Sequence, residues 1–180
     1  MKDNSKIIIV FSGKQFSGKD TVAKILLEKF KTFKRIGIAD AIKLKYSEQT
    51  GISIEDIEQN KSLYRKDLIE LGNWGRAQNP DFWLDSIIEY KGNTIVTDIR
   101  MKHELDLFCT YGAFTIRVEA SEKVRSKRGQ LVSNYDTTET ELDNILNWDY
   151  IIENNGSYEE LKNNTKNLIV KLQSQFGKDI

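Results

Sequence analysis

Two glycines and a lysine, in the run Gly13-Lys-Gln-Phe-Ser-Gly-Lys19, are the residues of this chain best suited to do chemistry. Glycine admits backbone conformations and close approaches that a Cβ would block. A loop bounded by two glycines can turn its successive N–H groups into one concavity, which suits an anion. Lys14 and Lys19 add mobile point charges that can reach phosphate oxygens. The spacing follows the phosphate-binding pattern G-x-x-x-x-G-K-[ST] except at its last position. Asp20 stands there, and the hydroxyl of Thr21 comes one residue late.

Such a pattern carries meaning only between a strand and a helix. The β-branched run from Ile7 to Val10 predicts a buried strand that breaks at Ser12-Gly13. Beyond the loop, Val22, Ile25, Leu26 and Phe30 take up helical spacing and predict a helix over 20–31. The positive end of that helix would face the same anion as the loop.

Other chemistry-bearing residues fall at strand ends. Thr94-Ile-Val-Thr-Asp98 reads as a strand closing in a carboxylate, and two readings of Asp98 stand: a ligand for Mg²⁺, or a helix N-cap. Asp20 offers a second carboxylate for the metal in place of the missing hydroxyl. Arg65, Arg76, Arg100, Arg125 and Arg128 are candidate cations for phosphoryl transfer, which needs positioning and charge neutralisation more than a protein base. Arg100 is the best placed, two residues past Asp98. Arg125 and Arg128, spaced i,i+3 before Gly129, would share a helix face and could close over phosphates. His103-Glu104 reads as capping or packing, the Trp74, Phe82 and Trp83 cluster as core, and Glu139 and Glu141 as solvated residues of a polar loop.

The remaining elements alternate. Strands are expected over 35–39, 94–98, 114–118 and 149–153, with Asp40 at the end of the first of these. Helices are expected from Asp40 through Leu44 and Tyr46, over 62–78 with Leu63, Leu68, Ile69 and Leu71 inward, and through Phe82, Trp83, Ile87 and Ile88. Further helices should begin at a Ser53 cap after a stop at Gly51, run over 102–111 to a stop at Gly112, and run from the Ser157 cap through Leu161, Leu168, Ile169 and Leu172. This alternation predicts an α/β fold with a parallel sheet covered on both faces. In such sheets ligands bind beyond the carboxyl ends of the strands. Asp40, Asp98, Asn154 and the glycine loop all fall there, a second pointer to a nucleotide site.

Composition narrows the classes. The 180 residues suit one well-buried domain, and 27 basic against 27 acidic residues give no long-range field for nucleic acid or an anionic membrane. No apolar run is long enough to span a bilayer, and Met1-Lys-Asp-Asn-Ser5 has no h-region, so no signal peptide is expected. A lone Cys109 excludes a disulfide framework and suits a cytoplasmic protein. A GTPase would carry an Asn-Lys-x-Asp motif after a strand, and there is none.

The glycine loop, with Asp20 after its lysine, resembles two related groups of P-loop kinases, the phage-type deoxynucleoside monophosphate kinases and the animal-type phosphomevalonate kinases. Ser17-Gly-Lys-Asp-Thr21, Asp98-Ile-Arg100 with His103-Glu104, Gly112-Ala113 and Asn155-Gly-Ser-Tyr-Glu-Glu-Leu161 are most similar to the first group. Tyr64-Arg-Lys-Asp-Leu-Ile69, Arg125-Ser-Lys-Arg-Gly129 and Leu142-Asp-Asn144 are most similar to the second. The second group carries a basic glycine loop and two adjacent arginines after the strand-terminal aspartate. Here Gln15 and Phe16 occupy the loop, Met101 follows Arg100, and Phe82-Trp-Leu-Asp85 lacks an arginine found in that group.

The resemblance implies a three-layer P-loop NTPase fold of the nucleoside-monophosphate-kinase type, with a five-stranded parallel sheet, in a single domain over 1–180. It implies a lid-like segment over about 121–137 and an acceptor-binding helical region over about 40–90. ATP would be the donor and Mg²⁺ the cofactor. Gly13, Lys14, Gly18, Lys19, Asp20 and Thr21 would bind donor phosphates, with Asn154 and Gly156 near the base and Asp20 and Asp98 at the metal. Lys19, Arg100, Arg125 and Arg128 would serve catalysis, while Asp40, Arg65, Arg76 and Arg100 would bind the acceptor. The implied reaction moves the γ-phosphate of ATP to a (deoxy)nucleoside monophosphate. Phosphomevalonate as acceptor and a non-catalytic nucleotide-binding switch are the alternatives, and the partner is a small phosphorylated molecule, bound by a monomer or homodimer.

Overall fold

The computed structural model describes residues 6–178 and 180; the Met1-Lys-Asp-Asn-Ser5 segment lies outside them. The described residues pack as two compact units, one of residues up to 35 together with those from 91 onward, the other of residues 36–90.

The larger unit begins with β1 (Ile8–Ser12), α1 (Lys19–Lys29) and β2 (Lys34–Ile36), the last of which ends at the unit boundary. It resumes with β3 (Thr94–Ile99), α6 (Lys102–Thr110), β4 (Phe114–Glu119), α7 (Glu122–Arg128), α8 (Thr137–Thr140), β5 (Tyr150–Glu153) and α9 (Tyr158–Phe176). The strands form one sheet in the order β2-β3-β1-β4-β5. β1 is central and parallel to both neighbours, with Ile9 opposite Ile95 on one side and Phe114 on the other. Every residue of β1 and β3 is buried, as an unbroken apolar run in a sheet covered on both faces requires. Ile9, Phe11, Ile95, Ile116 and Val118 pack with Val22 and Leu26 of α1 and Leu161, Leu168 and Leu172 of α9. Alternate residues, among them Ser12 and Arg117, point to the other face. The three-layer α/β architecture follows the expectation.

The smaller unit holds α2 (Ile38–Thr50), α3 (Ile54–Gln59), α4 (Lys61–Gln78) and α5 (Asp85–Ile88). The Gly51 stop and the Ser53 cap fall as expected: Gly51 has φ 75°, and the Ser53 hydroxyl accepts from the Asp56 amide at 3.1 Å. Three expectations are corrected. The strand over 35–39 stops at Ile36, because the Asp40 carboxylate accepts from the Gly37 amide at 3.0 Å and starts α2 two residues later. Asp40 thus sits in the first turn of a helix, not at a strand end. Of the helix through Phe82 only Asp85–Ile88 is regular, because the Asn79 carbonyl turns the chain by accepting from the Phe82 amide at 2.9 Å.

Of the expected aromatic core only Trp83 is buried. Gly72 and Gly75 leave the side of α4 bare, so the indole lies against helix backbone and donates to the Gly72 carbonyl at 3.0 Å. Trp74 and Phe82 stay exposed, paired edge to face, and Leu63 is exposed as well.

These placements predict stabilities. Leu168→Ala should lower the unfolding free energy by about 2–5 kcal/mol, because its side chain is fully enclosed. Leu63→Ala, at a position 70% exposed, should change it by less than about 0.5 kcal/mol. Urea titrations of the two variants beside the parent check both values; equal losses would contradict the core described here.

Candidate functional site

The phosphate loop and the residues that contact it lie in the larger unit. The loop from Gly13 to Gly18 joins the end of β1 to the start of α1, where Gly18 is the N-cap. Gly13 has φ 146° and Gly18 φ 105°. A Cβ on the first would collide with the Val118 carbonyl and on the second with the Asn154 amide, so only glycine fits either place. Phe16 is also left-handed, at φ 58°, a strained conformation for a bulky residue.

Lys19 is buried, and its ammonium donates to the carbonyls of Gly13 at 2.6 Å and Lys14 at 3.0 Å. Burial pushes its pKa down to about 8, and the charge of Arg100 pushes the same way. Asp20, Glu139 and Asp98 act oppositely. Asp20 is exposed in the first turn of α1, and Thr21 beside it is half-buried. Asp98 is buried near the end of β3, with Ile99 after it. The cap reading of Asp98 falls, because the N-cap of α6 is Met101 and Glu104 reaches back to the amides of Arg100 at 3.0 Å and Met101 at 3.1 Å. Capping is done by the Glu104 carboxylate, next to His103, the residue expected to cap or pack.

The segment over 121–137 clasps the loop. α7 forms in its charged first half, and both of its arginines reach loop carbonyls. Buried Arg125 donates to the Gln15 carbonyl at 3.3 Å; Arg128 donates to the Phe16 carbonyl at 3.2 Å and to the Asn154 carbonyl at 2.9 Å. The Gln15 side chain donates to the Val132 carbonyl at 2.6 Å and accepts from its amide at 3.2 Å. The Phe16 ring covers Gly129 so closely that a Cβ there would strike it. Asn154 is buried behind the loop, donating to the Ser17 carbonyl at 2.7 Å, and Gly156 lies in the exposed turn beside the Glu160 carboxylate.

Glu139 is the main correction. Its side chain is wholly buried, not solvated: it pairs with Arg100 and accepts from the Gln15 amide at 2.9 Å. Asp136 makes this placement by capping α8, accepting from the Thr138 amide at 2.9 Å. Glu141 is half-buried and accepts from the Lys102 amide at 2.7 Å. Asp143 pairs with Lys14 at 2.6 Å and with Arg117 at 3.1 Å. Arg117 is a further residue missed in the sequence: it is buried, donates to the Ser12 hydroxyl at 3.0 Å, and lies 5.7 Å from the Trp148 ring. A charge inside the apolar run Phe114-Thr-Ile-Arg-Val118 was the signal that could have found it.

The structure therefore gathers the loop, Lys19, Asp98, Arg100, Arg125, Arg128 and Asn154 in one unit. In the other unit, Asp40 accepts from the Gly37 amide at 3.0 Å and lies 3.5 Å from the Lys43 ammonium. Arg65 and Arg76 are half-buried three turns apart on one side of α4, and the Arg76 guanidinium lies by Gly72.

The family model described as Phosphomevalonate kinase matches residues 11–113. That described as Deoxynucleotide monophosphate kinase matches residues 67–165. Among solved structures, shikimate kinase from Aquifex aeolicus vf5 is 17% identical over 94% of this chain and 98% of that one, with a TM-score of 0.53. Shikimate kinase from Bacteroides thetaiotaomicron is 15% identical over 93% and 98%, with a TM-score of 0.56. The APS kinase of Mycobacterium tuberculosis, solved in complex with AMPPNP and APS, is 14% identical over 94% and 98%, with a TM-score of 0.50. At such identities the structures establish the fold alone, a five-stranded α/β sheet of the P-loop kinase kind. Each family match spans more than half of the sequence, and the chain belongs to the P-loop kinases that the phosphomevalonate kinase and deoxynucleotide monophosphate kinase families together describe.

Proposed function

We propose that this kinase transfers the γ-phosphate of ATP to a (deoxy)nucleoside monophosphate, giving the diphosphate. The observation that carries the choice of acceptor is the pairing of loop-side cations with carboxylates: Arg100 with Glu139, and Lys14 with Asp143. Cations offset in this way suit an acceptor with one phosphate and an uncharged remainder better than a compact polyanion. Phosphomevalonate is the second reading, favoured by the family match that includes the glycine loop and β3.

The donor end has fitting chemistry. The Ser17 hydroxyl and the Arg125 Nε are buried without hydrogen-bond partners, and both residues adjoin the loop. A polyphosphate can accept from both. The carboxylates of Asp20 and Asp98 and the Thr21 hydroxyl are hard oxygen donors, which suit Mg²⁺ held by one or two carboxylates and substrate phosphates. When bound, that ion would neutralise charge on the donor phosphates. Gly13, Lys14, Gly18 and Lys19 hold the donor in this reading, with Arg125 and Arg128 in the lid over it. Asn154 positions the loop from behind, and Gly156 lies on the base side.

Arg100 orients the acceptor phosphate. An acceptor oxygen attacks the γ-phosphorus, the bond to the β-bridging oxygen breaks, and ADP leaves. A phosphate monoester has its second pKa at about 6, so the nucleophile is already deprotonated at neutral pH and needs no protein base.

A coupled ADP-release assay over ribo- and deoxynucleoside monophosphates and phosphomevalonate tests the acceptor. At least one monophosphate should exceed phosphomevalonate in kcat/KM by about tenfold or more, a difference of about 1.4 kcal/mol in transition-state binding. The reverse order would move the assignment to the second reading, and no transfer to any acceptor would defeat the kinase reading.

Lys19 supplies a second test. Lys19→Ala should lower kcat/KM by about two to three orders of magnitude. In the free protein the lysine loses its proton above pH of about 8, whereas bound phosphate favours the ammonium. ATP binding then takes up a proton above that pH, so affinity should fall by up to about tenfold per pH unit. Calorimetric titration between pH 7 and 9.5 should show this slope in the parent and none in Lys19→Ala.

A further inference from the structure

Glu139 lies outside the phosphate loop, yet its side chain touches both Arg100 and a backbone amide of that loop. Its two carboxylate oxygens are divided between them: Oε1 faces the Arg100 guanidinium, and Oε2 accepts from the Gln15 N–H at 2.9 Å. The Thr138 carbonyl, one residue earlier, accepts from Arg100 as well, at 3.4 Å. A carboxylate taken wholly out of water is tolerated only with such partners in good geometry. Its support is also built: the Asp136 carboxylate caps α8 through both the amide and the hydroxyl of Thr138, and buried Leu142 follows the helix. Asp143 then fastens the same segment to Lys14 and Arg117.

We propose that Glu139 is a positioning residue for phosphoryl transfer, tying the Arg100 guanidinium to the Gln15 amide and so fixing the arginine against the phosphate loop. This rests on the reading of the chain as a P-loop kinase with Arg100 at the transferred or accepting phosphate. A freely rotating arginine would spread its charge over many rotamers, and misplacement of a catalytic cation by about 1 Å costs on the order of a hundredfold in rate.

Glu139→Gln keeps the shape and loses the charge, and Glu139→Asp keeps the charge and loses the reach. In the acceptor assay, Glu139→Gln should lower kcat by about 30- to 100-fold. Glu139→Asp should also lower kcat, and in both variants KM for ATP should stay within about threefold of the parent, as expected of an arginine misplaced at the transferred phosphate rather than of a disturbed ATP site. The double variant with Arg100→Gln should be no slower than Arg100→Gln alone, since the two residues act as one. Additive losses, or a Glu139→Gln protein with parental kcat or tighter ATP binding at unchanged kcat, would overturn the proposal; the last result would make Glu139 a competitor of phosphate instead. If Glu139→Gln does not fold, as judged by its melting curve, Glu139→Asp and its cycle with Arg100→Gln decide the matter. The same cycle read by urea unfolding needs no acceptor. A parent that transfers phosphate to nothing would therefore defeat the functional reading, while additive losses of stability across the Glu139→Gln and Arg100→Gln cycle would overturn the tie between Glu139 and Arg100 itself.

Discussion

A buried ammonium is the constraint on which the rest of this structure depends. Lys19 follows directly on the loop and is taken out of water at the junction of β1 and α1, and a charge so placed must be met on every side. The loop meets it first, by folding so that the Gly13 and Lys14 carbonyls accept from it. That fold needs the left-handed glycines, and their lack of side chains lets the Val118 carbonyl and the Asn154 amide close in behind. The second answer is electrostatic, from Asp98 at the end of a neighbouring strand and Glu139 from α8. A central strand that is apolar on both faces makes the whole arrangement rigid, since β1 cannot shift without opening the sheet.

From this follows the manner in which remote segments are recruited. Gln15 and Phe16 carry no charge, and both are used as handles: the amide of Gln15 pairs with Val132 in both directions, and the ring of Phe16 packs on Gly129. Arg125 and Arg128 use the loop's carbonyls, which the loop's own turn leaves facing outward.

Legibility in the sequence followed the range of the interaction. The strand–loop–helix unit, the Ser53 and Ser157 caps and the Gly51 and Gly112 stops are local, fixed by neighbours within four residues, and the sequence displays them directly. Glu139 was misread because its partners lie 39 residues away at Arg100 and 124 residues away at Gln15, and nothing in a polar stretch distinguishes a carboxylate that will find such partners. Leu63 and Trp74 were misread for the opposite reason: apolar residues at helical spacing suggested a buried stripe, but the buried side of α4 is made by Gly72 and Gly75, which a hydrophobic pattern cannot register. Asp40 lay between the two cases, since a carboxylate shortly after a strand can close the strand or start the next helix, and its hydrogen bond from the Gly37 amide decided for the helix.

The distribution of charge bears on catalysis as well as on folding. A site that brings Lys19, Arg100, Arg125 and Arg128 around one loop would repel itself unless anions were built in, and in this chain they are built in as side chains. Phosphoryl transfer asks for positive charge that strengthens as the γ-phosphate departs, not for the largest positive charge in the ground state. A carboxylate that holds an arginine in place lowers the net charge felt by the bound substrate and at the same time prevents the guanidinium from collapsing onto the ground-state phosphates. In the proposed reading, compensation of Arg100 by Glu139 would be compatible with fast transfer and would select against acceptors whose binding depends on uncompensated charge alone.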